Sequence, residues 1–91
     1  MKKRAHIFIS GKVQGVFFRS FVKSQAKLYE INGWVKNLRD GRVEAVFEGE
    51  DYKIEEIIDS CRKGSFGSEV KNVEVEWESL RGTEDCFEIR R

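Results

Sequence analysis

The stretch from Gly11 to Arg19 constrains the fold more than any other part of the chain, because it joins two different hydrophobic periods. Residues 5–13 alternate between two faces, one of them mostly apolar, which predicts a β-strand with one buried face. Residues 18–30 carry apolar side chains three and four positions apart, which predicts an amphipathic helix. Gly11 and Gly15 permit the turn between strand and helix. The sequence therefore predicts a short loop that runs from a strand directly into the N-terminus of a helix.

The rest of the chain repeats these two periods in a defined order. The predicted elements are strands at 34–38 and 42–48, a helix at 51–63, a strand at 73–78 and a short strand at 87–89. Asp40-Gly41, between the first two of these strands, is a strong hairpin signal. Asn32-Gly33 and Gly64 tolerate positive φ, so we expect them to end the first and the second helix.

The order β-α-β-β-α-β, followed by a short C-terminal strand, predicts an α+β fold. Right-handed crossovers place both helices on one face of an antiparallel sheet, which is the ferredoxin-like α/β sandwich. A chain of 91 residues has room for one hydrophobic core, so we expect a single domain over residues 1–91. The residues expected in that core are Ile7, Ile9, Phe18, Val22, Trp34, Ile54 and Ile58.

Charge and hydropathy disfavour several classes of protein. Charged residues make up 36% of the chain, yet the net charge is only +1, so opposite charges are interspersed. This balance disfavours a nucleic-acid-binding surface, and the one basic cluster, Lys2-Lys3-Arg4, is expected to be a solvated terminus. No run approaches the length of a membrane span, and the N-terminus lacks the apolar core of a signal peptide. We therefore expect a cytoplasmic protein without a nucleic-acid or membrane partner, and a monomer is the default expectation.

Thiols and imidazoles are too few for an evident metal site. With two cysteines and one histidine, no metal or other cofactor is expected. Cys61 continues the apolar stripe of the second helix, whereas Cys86 alternates with Phe87 and is expected to point away from the core. Side chains that point apart cannot form a disulfide, so both thiols are expected to be free. His6 lies on the more exposed face of the first strand and is not expected to be catalytic.

The loop from Gln14 to Arg19 has the features of an anion-binding site. A loop that enters a helix N-terminus presents free backbone N–H groups, and the helix dipole adds positive potential behind them. Arg19, in the first helical turn, adds a planar and always charged group that suits phosphate or carboxylate oxygens. Because similar loops also serve simply as turns, the loop by itself does not identify a ligand.

Two sequence motifs narrow the interpretation. Residues 11–19 fit the pattern G-x-V-Q-G-V-x-F-R, and residues 33–44 fit the pattern G-W-V-x-N-x-x-D-G-x-V-E. Both patterns are signatures of the acylphosphatase family, which the chain resembles over nearly its whole length. The resemblance implies a ferredoxin-like fold and the hydrolysis of a carboxylic-phosphoric mixed anhydride to a carboxylate and inorganic phosphate. The implied partner is a small-molecule acyl phosphate.

The resemblance also implies roles for the matching residues. The backbone that would cradle the phosphoryl oxygens belongs to Gln14, Gly15, Val16, Phe17, Phe18 and Arg19. The Arg19 guanidinium would bind the same oxygens from the side, and Asn37 would hold the attacking water. The side chain of Gln14 is expected to shape the loop. Many relatives have a small residue in place of Phe17, so its bulk bears on access to the site.

Two other functions are compatible with the same fold. One is a non-catalytic module that binds a small anion or acts as a regulatory domain. The other is an RNA-binding module, which would need exposed aromatic side chains on its central strands. The third predicted strand carries Glu44 and Glu48 where stacking rings would be needed, so RNA binding is disfavoured. Turnover of an acyl phosphate would separate an enzyme from both alternatives.

Overall fold

The computed structural model describes all residues from Met1 to Arg91 and contains two helices and five strands. In chain order these are β1 (Lys2–Lys12), α1 (Phe18–Leu28), β2 (Asn32–Asn37), β3 (Val43–Glu50), α2 (Asp51–Lys63), β4 (Glu69–Glu78) and β5 (Phe87–Arg90). The strands form one sheet in the order β4-β1-β3-β2-β5. The predicted ferredoxin-like α+β fold is confirmed, and α2 has the bounds that its sequence pattern predicts.

The sheet is mixed, because the antiparallel sheet that the sequence predicts has a parallel strand at one edge. The strand pairs β1–β3, β1–β4 and β2–β3 are antiparallel, as expected. β5 instead pairs in parallel with β2, with Gly33 opposite Phe87 and Val35 opposite Ile89. The chain leaves β4 at one edge of the sheet, reverses through residues 79–86 and joins the other edge. Since β4 runs opposite to β2 in this sheet, the reversal gives β5 the direction of β2.

One hydrophobic cluster lies between the sheet and the helices and contains 17 buried residues. β1 contributes alternate side chains, among them Ile7 and Ile9, as its period predicts. α1 contributes Phe18 and Val22, and α2 contributes a stripe that includes Ile54. Trp34 is among the buried hydrophobic residues, as expected, but it lies outside this cluster, on the opposite face of the sheet. There, the charged groups of Lys36 and Arg90 lie 5.4 and 5.0 Å from the centre of its ring.

The end of α1 differs from its prediction. The helix ends at Leu28, and Asn32-Gly33 belongs to β2 instead of closing the helix. Glu30 takes the left-handed conformation, with φ 56°. The N–H of Glu30 donates to the Lys27 carbonyl at 3.2 Å and that of Ile31 to the Ala26 carbonyl at 2.8 Å. This pair of bonds is a Schellman motif, which satisfies the last carbonyl groups without the glycine that usually occupies the left-handed position.

Arg4 is buried, so the expectation of a solvated Lys2-Lys3-Arg4 terminus is wrong for this residue. Its guanidinium nitrogens lie 3.1 Å from Glu48, 3.3 Å from Glu78 and 3.5 Å from Glu84. These carboxylates come from β3, β4 and the following loop, and buried charges require such partners. The two cysteines are free, as predicted, with Cys61 buried and Cys86 exposed. Neither helix is both long enough and apolar enough to cross a membrane.

Candidate active site

A surface cavity of about 250 Å³ lies where the β1–α1 loop meets the end of β2. Its lining comprises Val13, Gly15, Phe17, Phe18, Arg19, Ser20, Asn37 and Ile89. The cavity thus brings together Arg19 and Asn37, the two side chains to which the sequence motifs assign the chemistry. Its volume suits a small ligand, because cavities for drug-sized molecules are about 300–1,000 Å³.

The loop before α1 leaves its backbone donors free. The N–H groups of residues 14–17 donate to no acceptor within the protein. Phe17 is the N-cap residue of α1 and provides no side-chain hydrogen bond, and the first turn contains no acidic residue. α2 differs, because Asp51 in its first turn accepts a 2.8 Å hydrogen bond from the N–H of Tyr52. The positive end of α1 is therefore left without an anionic side chain, as an anion-binding helix terminus requires.

Gly15 has the backbone conformation that this loop needs. Its φ is 73°, a left-handed value that glycine adopts without steric cost. No atom lies within 4 Å of the place where a Cβ atom would stand, so the space over this residue is open. The glycine thus serves the turn and also leaves the loop open at the cavity.

Arg19 is the only charged side chain in the cavity lining. A cation in the first turn of a helix opposes the helix dipole, so its position is unfavourable unless an anion is bound near it. The guanidinium Nη1 donates to the backbone carbonyl of Arg90, at a distance of 3.5 Å. The last strand therefore holds one side of the guanidinium and leaves its other donors available to a ligand.

Asn37 ends β2, lines the cavity and has one polar side-chain atom without a hydrogen-bond partner. Its Oδ1 is buried and has no hydrogen-bond partner. Leaving a buried acceptor unsatisfied costs about 1–3 kcal/mol, so such atoms are rare unless a ligand or water completes them. Arg4 Nε and Ser65 Oγ also make no hydrogen bond, although Arg4 Nε lies 3.3 Å from Oε1 of Glu78, and neither residue lines this cavity.

Gln14 and Val16, which the sequence places in the phosphate-binding loop, are not among the residues that line the cavity. The Nε2 of Gln14 donates to the carbonyls of Leu38 and Arg42, at 2.7 and 2.9 Å. These carbonyls belong to the turn between β2 and β3, directly after Asn37. Gln14 therefore connects the β1–α1 loop by hydrogen bonds to the turn that follows Asn37. These bonds hold the shape of the loop, which is the role that the sequence predicts for Gln14. Val16 packs against the hydrophobic cluster.

Four contributions to the site are absent from the sequence prediction, and the first is Val13, which lines the cavity directly after β1. Ser20 lines the cavity directly after Arg19, and Ile89 lines it from β5, next to the carbonyl that holds Arg19. Adjacency to Arg19 in the first helical turn was an available signal for Ser20. Ile89 and the Arg90 carbonyl reach the site only because β5 pairs with β2, and no local sequence pattern indicates that pairing.

No residue that titrates near neutral pH lines the cavity. His6 lies elsewhere, on the open face of the sheet, where its Nε2 is 2.5 Å from Oε2 of Glu44. Burial raises the pKa of the Cys61 thiol to about 12, and this thiol lies in the core. The arrangement can therefore bind an anion and position a water, but it offers no side chain to transfer a proton.

The fold and site together define a ferredoxin-like protein with a small cavity at an uncapped helix N-terminus. The acylphosphatase family profile matches residues 5–89. The chain is similar to an acylphosphatase of Haloarcula marismortui, with 51% identity over 87 residues that cover 96% of this chain and 94% of the relative. An acylphosphatase of Syntrophobacter fumaroxidans is 52% identical over 88 residues, which cover 97% and 91% of the two chains.

The fold is also similar to a solved structure of the same kind. The crystal structure of acylphosphatase from Bacillus subtilis matches with a TM-score of 0.94 and 34% identity, covering 100% of both chains. By family profile, sequence identity and structure, this chain belongs to the acylphosphatase family.

Proposed function

We propose that this enzyme hydrolyses acyl phosphates in the cavity between the β1–α1 loop and the end of β2. The observation that carries the proposal is that Asn37, whose buried Oδ1 has no hydrogen-bond partner, lines the same cavity as Arg19 beside the uncapped start of α1. An anion site alone would bind phosphate. An anion site with an unsatisfied acceptor next to it can also hold a water for attack on that phosphate.

The phosphoryl group binds to the backbone N–H groups of residues 14–19 and to the Arg19 guanidinium. Charge in phosphoryl transfer is spread over the equatorial oxygens, which these donors neutralise. Asn37 accepts a hydrogen bond from the attacking water and orients it. The water oxygen forms the new bond to phosphorus while the bond from phosphorus to the acyl oxygen breaks, and its electron pair leaves with the carboxylate. A phosphoryl oxygen of the substrate takes one proton of the water.

The chemistry of the leaving group explains why this cavity suits acyl phosphates. A carboxylate is a weak base, with an ordinary pKa of about 4, so it leaves without being protonated. An alkyl alkoxide needs a general acid, and the lining contains no side chain that titrates near neutral pH. Positioning and charge stabilisation are then sufficient for the first class of substrate and insufficient for the second.

The proposal includes the state in which the enzyme works: a single-domain monomer in the cytoplasm, acting without nucleic acid, metal or other cofactor. Light scattering on the purified protein during gel filtration tests the monomer directly. A dimer mass at micromolar concentration would contradict that part of the proposal.

The test of the function compares two substrates on one protein. Release of inorganic phosphate is measured with benzoyl phosphate and with glycerol phosphate, a stable alkyl monoester. We expect turnover of the acyl phosphate and none of the monoester. If inorganic phosphate binds but neither compound is hydrolysed, the chain is the non-catalytic anion-binding module considered above. If the monoester is hydrolysed equally well, the site must contain an acid that the proposal omits.

A further inference from the structure

Phe17 is an aromatic residue in a position that neither its backbone nor its packing explains. Its φ and ψ are 58° and 26°, a left-handed conformation that bulky L-residues rarely adopt. Glycine or asparagine suits such a position better. The side chain is 86% exposed, so the hydrophobic cluster gains nothing from the ring. Phe17 nevertheless lines the cavity that contains Arg19 and Asn37.

The exposed apolar surface of the cavity belongs to only two residues. The other apolar lining residues, Val13 and Phe18, are 1% exposed and are covered by the core. Phe17 and Ile89 are exposed at 86% and 37%. What remains of the lining is glycine or polar. An apolar group that enters this cavity can therefore remove hydrophobic surface from water only by contacting Phe17 or Ile89.

The geometry of the reaction limits where the acyl group can lie. In-line displacement puts the attacking water and the leaving oxygen on opposite sides of the phosphorus. With the water on Asn37, the acyl group cannot occupy the Asn37 side of the cavity. The phosphoryl group itself occupies the loop, so the acyl group extends over the exposed rim of the site.

We propose that Phe17, together with Ile89, binds the acyl group and gives the enzyme a preference for aryl and other large apolar acyl phosphates over acetyl phosphate. The inference rests on the proposed function and names the substrate class of the same site. The ring contacts a part of the substrate that does not react. It binds ground state and transition state alike, and its contribution belongs mainly in KM.

The experiment measures kcat and KM for benzoyl phosphate and acetyl phosphate with four proteins. These are the wild type, Phe17→Asn, Phe17→Tyr and Phe66→Asn. Asparagine tolerates the left-handed conformation, so the first variant removes the ring and retains a suitable backbone. Tyrosine retains the ring. Phe66 is fully exposed in the loop after α2 and does not line the cavity, so it is the matched control.

We expect Phe17→Asn to lower the ratio of kcat/KM for benzoyl over acetyl phosphate by about tenfold, equivalent to about 1.4 kcal/mol. The change is expected mainly in the KM for benzoyl phosphate. Using the ratio cancels the intrinsic reactivity of the two compounds, as well as any effect of the substitution on the phosphate loop. Phe17→Tyr and Phe66→Asn are expected to keep the wild-type ratio within about twofold.

The outcomes separate this inference from the proposed function. If the wild type hydrolyses both compounds but Phe17→Asn keeps the wild-type ratio, Phe17 does not select the acyl group and the inference is wrong. A higher ratio in Phe17→Asn would mean that the ring excludes large acyl groups, which also overturns it. If the wild type hydrolyses neither compound, the proposed function fails and the inference fails with it.

Discussion

Arg19 is the residue on which the site depends most, because it supplies the only side-chain charge in the cavity. Lysine would keep that charge but lose the planar pair of donors, so Arg19→Lys isolates two-pronged recognition of the phosphoryl oxygens. We expect kcat/KM for benzoyl phosphate to fall by about a hundredfold or more. Arg39→Lys, at the exposed tip of the β2–β3 turn, is the control. Near-normal turnover by a protein with an unchanged far-UV circular dichroism spectrum would refute the role of Arg19.

Asn37 is expected to affect turnover and phosphate binding differently. Asn37→Ala removes the group that positions the water, so we expect kcat to fall by about a hundredfold while the inhibition constant of inorganic phosphate stays within about twofold. The exposed Asn72→Ala is the control. Phosphate affinity that collapses while kcat survives would mean that Asn37 binds the phosphoryl group.

At the scale of single residues, the sequence predicts the site residues when their neighbours along the chain carry the signal. Arg19 and Asn37 lie within continuous motifs, and the cavity brings them together. Arg4 has no such motif. It is buried because carboxylates from three separate segments surround it, and only the folded sheet places those segments side by side. The local sequence therefore predicts that Arg4 is solvated, whereas the folded sheet buries it.

At the scale of elements, α1 offers a direct test of how its C-terminus is built. Glu30 holds the left-handed position of the Schellman motif, which costs a residue with a Cβ atom about 1–2 kcal/mol. Part of this cost is recovered in Glu30→Gly, so we expect the free energy of unfolding to rise by about 1 kcal/mol. Urea denaturation with an unchanged m-value measures the difference.

The control for this prediction lies in the same helix. Lys23→Gly places glycine in the helix interior, where it is expected to lower the free energy of unfolding by about 1 kcal/mol. Opposite signs for the two glycine substitutions would separate the left-handed position from a general effect of glycine. A decrease for both would show that Glu30 makes a stabilising contact that outweighs its backbone conformation.

The elements also show why the sequence predicts some pairings and not others. The β2–β3 hairpin follows from Asp40-Gly41 because the turn and both strands are adjacent in the chain. Both helices follow from local periodicity. The parallel pairing of β5 with β2 depends instead on the path of residues 79–86 across the sheet, which no local sequence pattern indicates. For the same reason no sequence pattern indicates that Ile89 and the Arg90 carbonyl belong to the site.

For the whole molecule, the pH dependence of stability and that of activity are expected to differ. Burial alone would raise the pKa of Glu48, but hydrogen bonds from the Arg81 N–H and from Arg4 hold it below its ordinary value of 4.5. A carboxyl group with a lowered pKa stabilises the fold above its unfolded pKa, and that contribution is lost as pH falls through the folded pKa. We therefore expect the contribution of Glu48 to the free energy of unfolding to be lost only in acid, as the pH falls below about 4.5.

Activity is expected to be nearly flat from about pH 6.5 to about pH 8.5, the ordinary pKa values of histidine and cysteine. In this range the Glu48 contribution to stability is complete, and no cavity-lining side chain titrates there. Chelators should have no effect, because the lining contains no carboxylate, imidazole or thiolate that would hold a metal ion. kcat for benzoyl phosphate is measured across the range with and without chelator, for the wild type and for His6→Ala. A steep limb that disappears in His6→Ala would assign a base to the open face of the sheet. If activity is lost to chelator and restored by a divalent cation, a metal ion and not Arg19 is the main source of positive charge at the phosphoryl group.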